Sequence, residues 1–153
     1  MLAFALLALS VLSAQAEQKL KVIDLTPDSP PTAEQLERAK QYQAEQEAAA
    51  KIPPKEAKEF MMRLVSTVDQ GLELAQSGKI NAVQLRNQAI ALNKLQDEGA
   101  RFGGLFAPFN ECNKASIGAA MSWQSLIARD VEKFTQYHSN YQDSVIACLK
   151  AAG

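Results

Sequence analysis

The sequence predicts an all-α protein: a small bundle of four or five helices, preceded by a signal peptide and containing an antiparallel helical hairpin. Three observations predict it. Apolar residues recur three and four apart through most of the chain, the period of a helix with one buried face. Val, Ile and Thr together supply only 17 residues after position 16, while Ala and Gln abound, a balance that favours helix over strand. Three residues, Gly78, Lys79 and Ile80, separate two strongly periodic segments, and a connection that short makes its helices antiparallel neighbours.

The first 16 residues, MLAFALLALSVLSAQA, stand apart: 13 are apolar and none is charged. The apolar run is too short to span a bilayer. It ends in Ala14-Gln15-Ala16, the small-x-small pattern of a signal-peptidase site, and Glu17 and Lys19 follow at once. The expectation is cleavage between Ala16 and Glu17 and a periplasmic or secreted product with no integral membrane segment. Residues 17–31 hold three of the six prolines and read as an extended arm.

Thr32-Ala33-Glu34-Gln35 has the pattern of a capping box and opens a polar helix over residues 32–51, stopped by Pro53-Pro54. Leu36, Ala39 and Tyr42 give this helix only a weak apolar stripe. Residues 55–153 form the bundle. Its hairpin covers about 55–77, with Met61, Leu64, Val68, Leu72 and Ala75 inward, and about 82–98, capped by Asn81 with Gln84 and presenting Leu85, Ala89, Leu92 and Leu95. Residues 99–110 contain Gly99, Gly103, Gly104 and Pro108 and read as a loop. Helical spacing returns from about Asn113 to about Tyr137 through Ile117, Ala120, Trp123, Ile127, Val131 and Phe134. A turn at His138-Ser139-Asn140 then leads into a short last helix with Tyr141, Val145, Cys148 and Leu149.

Cys112 and Cys148 are an even pair in an exported chain, so a disulfide between them is expected. Two straight helices joined by that bond would reverse midway, at Asp130. Ala128-Arg129-Asp130-Val131 offers neither Gly nor Pro for a turn, so the expectation is a non-helical Cys112, folded over the last helix by the Gly-rich loop.

Composition excludes several chemistries. Lys+Arg number 16 against Asp+Glu 17, a net charge of -1, without the clustered cations that nucleic acid requires. One His and two Cys cannot assemble an ordinary zinc site, and no metal or other cofactor is expected. No nucleophile elbow, phosphate loop or dinucleotide fingerprint occurs. His138 is the sole imidazole, and Asp97-Glu98 and Asp130/Glu132 pair carboxylates only by adjacency, so no catalytic residue is assigned.

The most suggestive feature is four large apolar side chains, Phe102, Leu105, Phe106 and Phe109, within eight residues of a Gly-containing loop. They read either as ordinary core capping the bundle or as a contact surface for a protein partner or a small apolar ligand, with Trp123 and Met121 as a floor. The leading expectation is an exported, non-enzymatic interaction protein of inhibitor, immunity or chaperone-like type. The alternatives are a small hydrophobic-ligand or non-covalent haem carrier, with Met61 or Met62 and His138 as ligands, and, behind that, an enzyme using His138 or a carboxylate pair.

Overall fold

The computed structural model describes residues 30–153; the proposed signal peptide and most of the arm lie outside them. Five helices follow in order: α1 (Ala33–Ala49), α2 (Pro54–Gln76), α3 (Ala82–Gly99), α4 (Asn110–Ile127) and α5 (Val131–Ala151), with no strand among the described residues. A short 3-10 turn, Ala100–Phe102, extends α3.

The predicted hairpin is α2 and α3. Asn81 Oδ1 accepts the Gln84 backbone N–H at 3.0 Å and Gln84 Oε1 accepts that of Asn81 at 2.9 Å, a reciprocal cap that satisfies two otherwise orphaned donors. Ala57, Phe60, Met61, Leu64 and Val68 of α2 are buried in one core cluster with Leu92 and Leu95 of α3. Gly71 lets α2 approach α3 closely: a Cβ there would lie 2.4 Å from Gln88 Nε2. That buried amide donates to the Thr67 carbonyl at 2.6 Å.

The second half differs from the sequence expectation. The break falls at 128–130, and α5 runs unbroken through His138, Ser139 and Asn140. The turn is a Schellman motif closed without glycine. Asp130 N–H donates to the Ser125 carbonyl at 3.0 Å and Arg129 N–H to that of Leu126 at 3.1 Å. Arg129 itself adopts the left-handed conformation, φ 59°. Asp130 then caps α5, its carboxylate accepting the Lys133 N–H at 3.1 Å. That acceptance, together with the Lys133 ammonium at 3.0 Å, holds the Asp130 carboxyl below its ordinary pKa.

With the reversal at Asp130, Cys112 needs no loop. It sits in the first turn of α4, Cys148 in the last turn of α5, and the disulfide joins them with Cα atoms 5.0 Å apart. The expectation of a non-helical Cys112 is therefore corrected. So is the inner stripe: Ala120 and Trp123 are buried, but Ile117, Ile127 and Val131 are exposed. The buried face of α4 is built of small residues instead, Cys112, Ala115, Ser116, Gly118, Ala119 and Ser122 among them. They let α5 and α3 approach α4 closely. A Cβ on Gly118 would lie 3.1 Å from the Tyr141 backbone, and one on Gly99 would lie 2.2 Å from Ser116 Oγ.

Among the described residues no helix is long and apolar enough to cross a membrane. The bonded cysteine pair fits an extracellular or periplasmic protein, because such bonds persist in oxidising compartments.

Candidate functional site

The segment between α3 and α4 carries the predicted contact residues, and the structure sorts them into two kinds. Phe102 is 0 % exposed and Phe109 5 %, while Leu105 is 75 % and Phe106 88 % exposed. The backbone explains the division. Gly103 takes φ 79°, in the left-handed region that a side chain disfavours, and turns the chain outward after Phe102. Ala107 N–H then donates to the Gly104 carbonyl at 3.0 Å, closing a β-turn with Leu105 and Phe106 at its two central positions. Asn110 N–H donates to the Ala107 carbonyl at 3.2 Å, and the chain re-enters the core at Phe109.

The tip is held from both ends. Phe102 packs on Phe60 with ring centroids 4.9 Å apart. The Arg101 guanidinium lies 5.0 Å over the Phe102 ring and reaches Glu56 at 3.1 Å. Asn110 Nδ2 donates to the Leu105 carbonyl and Asn113 Nδ2 to that of Gly103, both at 3.3 Å. Glu98 ties this base to α2 through Arg63 at 2.5 Å. The hydrogen bond from Arg63 lowers the Glu98 pKa against the opposing effect of burial, and raises that of Arg63 in return.

Helix α1 reaches the same segment. All its residues are exposed except Gln46, half-buried, and Ala49, buried. A Cβ on Gly103 would lie 2.8 Å from the Ala49 Cβ, and one on Gly104 would lie 3.3 Å from Gln46 Nε2 and 3.5 Å from the Tyr42 hydroxyl. The cleft between α1 and the segment has a volume of about 520 Å³ and is lined by Tyr42, Gln46, Arg101, Gly104 and Asn113 among others. Sequence reasoning did not place Tyr42 and Gln46 beside the tip. The signal was the Gly103-Gly104 pair, whose missing side chains leave room for a docked helix.

Trp123 does not join the tip. It is buried, and its indole N–H donates to the Leu85 carbonyl at 3.2 Å. Leu85 opens α3, about 20 Å along the helix from the segment that follows its end. Met121 lines a groove between α4 and α5 instead.

The other candidates are dispersed. His138 stands within α5, half-buried, its ring stacked on Phe134 at 5.3 Å and tilted against Tyr141 at 5.6 Å. Its Nδ1 is buried without a hydrogen-bond partner. Met61 is sealed in the core, Met62 is exposed on α2, and both cysteine sulfurs are spent in the disulfide. Among the described residues no group of three or more His, Cys, Asp or Glu side chains is arranged to hold a metal ion. No family model matches the chain, and neither a curated protein nor a solved structure matches it.

Proposed function

We propose that the chain is an exported, non-enzymatic binding protein that engages a protein partner through Leu105 and Phe106. The observation that carries the reading is the exposure of these two adjacent side chains, 75 % and 88 %, on a turn anchored by buried Phe102 and Phe109. A tip of that kind loses little conformational entropy on docking, because its backbone is already held. Burying one Leu and one Phe side chain contributes about 1.5–3 kcal/mol each, enough for a central anchor in an otherwise polar interface. Tyr42 and the solvated face of α1 form a polar rim beside it. The uncharged apolar run of residues 1–16, ending at Ala16, supports export, as does the disulfide. An inhibitor, immunity or chaperone-like role fits a rigid scaffold presenting one apolar point.

The test is site-specific photo-crosslinking in the native compartment. A crosslinking side chain at position 106 should capture a defined protein, while one at Val83, an exposed apolar residue on α3, should not. The double variant L105S/F106S should keep its helical circular dichroism and lose that partner on co-purification. Retention of every co-purifying protein by the folded double variant refutes the proposal.

A further inference from the structure

Met62, 63 % exposed on α2, divides two grooves of different character. On the α3 side the groove encloses about 890 Å³ and carries charges of both signs, Glu59 and Glu98 with Arg63 and Lys94, and Arg63 bonds Glu98. On the α5 side the groove encloses about 490 Å³ between an apolar floor of Met62, Val65 and Leu149, with buried Met61 beneath it, and an acidic rim of Asp69 and Glu73. The acidic partners in the ion pairs among the described residues are Glu34, Glu56, Glu59, Glu98, Glu111 and Asp130, and neither Asp69 nor Glu73. Ile146, 67 % exposed one turn before Leu149, extends the apolar surface along α5.

From Met62 to Glu73 the wall runs eleven residues, about 16 Å, or three helical turns. That length suits a helix seated by side chains three and four apart. The unbranched Met62 side chain adapts to differing apolar side chains, and the two unpaired carboxylates favour cations along one flank. We infer that the α2–α5 groove is a docking site for a basic amphipathic helix of a partner protein, whose apolar stripe enters between Met62 and Leu149 and whose Lys or Arg residues pair with Asp69 and Glu73. The site shares no residue with the Leu105–Phe106 tip and stands independently of it.

The probe is a synthetic peptide of about five helical turns, Leu on one face and Lys on the other, titrated into the full chain labelled at its methionine methyl groups. Saturable binding should shift the Met62 methyl resonance and leave that of Met121, in the α4–α5 groove, in place. The D69N/E73Q variant should bind about fivefold more weakly, and added salt should erase most of the difference. A peptide with Glu for Lys, or Ser for Leu, should not bind, and L105S/F106S should bind as the unaltered chain does. No binding at millimolar peptide overturns the inference. So does equal binding of either control peptide, an unchanged affinity in D69N/E73Q, or a shift at Met121 in place of Met62. The control peptides need no altered protein, so the outcome does not depend on any variant folding.

Discussion

Reducing the Cys112–Cys148 disulfide tests how the second half of the fold is held. The bond joins the open end of the α4–α5 hairpin, opposite the turn at 128–130, and spans a sequence separation of 36. By the loop-entropy relation a crosslink of that span stabilises by roughly 3–4 kcal/mol through its effect on the unfolded chain. A small domain has about 5–15 kcal/mol in all, so the loss removes a large part of it. At this size it lowers Tm by about 10–20 °C. The assay is urea and thermal unfolding of the oxidised chain against the reduced and alkylated chain. Both cysteines are 0 % exposed, so thiols should also appear in native buffer only as fast as the hairpin end opens, with a rate that levels off as reductant rises. A cost under about 1 kcal/mol, or a rate that keeps climbing with reductant, refutes the reasoning: the hairpin would then be held by packing alone, or the bond would be reachable from solvent.

Other outcomes follow from the same geometry. F102A should cost about 3–5 kcal/mol in urea unfolding and F106A no more than about 0.5, because only the first ring is buried; equal costs would contradict the division of the segment. R129G should raise the urea midpoint by an amount worth about 0.5–1 kcal/mol, since it relieves a left-handed Arg at a modest entropic cost. D130A should lower it by about 1 kcal/mol through loss of the α5 cap. Burial, with a smaller contribution from Asp69, raises the Tyr141 pKa from 10.0 to about 12. The folded state then holds a proton that the unfolded state has released, so the stability from Tyr141 is complete below pH 10 and falls as pH climbs toward 12; Y141F should flatten that decline in unfolding measured against pH.

The α2–α3 hairpin was legible because its information is local. Asn81 and Gln84 make their cap within four residues, and Leu64, Val68, Leu92 and Leu95 mark the inner faces by size and period. The α4–α5 hairpin was not, for two physical reasons. A Schellman turn requires a left-handed residue, which usually means Gly, and here Arg129 takes that conformation with no sequence mark. The inner face of α4 is a stripe of Ala, Ser and Gly, so a stripe drawn through the bulky residues followed Ile117 and Ile127 to the solvent side. The disulfide did carry the missing information. Two helices joined near their far ends must reverse midway between the cysteines, and Asp130 is that midpoint; the lack of Gly or Pro outweighed this constraint although it was the weaker of the two.

The candidate site was legible as a segment and not as individual side chains. Phe102, Leu105, Phe106 and Phe109 have no common period, so nothing in their spacing says which face the core; the left-handed Gly103 and the turn closed by Ala107 decide it. Once decided, the two halves ask for different explanations. Phe102 and Phe109 are accounted for by packing, since removing either leaves a cavity. Leu105 and Phe106 are not. A β-turn accepts polar residues at both central positions, so the turn needs neither side chain, and the described residues bury neither of them. Single exposed apolar residues are ordinary on protein surfaces, but here two large ones are adjacent on a backbone fixed from both sides. What the fold does not use, a partner can, and this is why the variants that matter for function at this tip are those that leave the unfolding curve where it was.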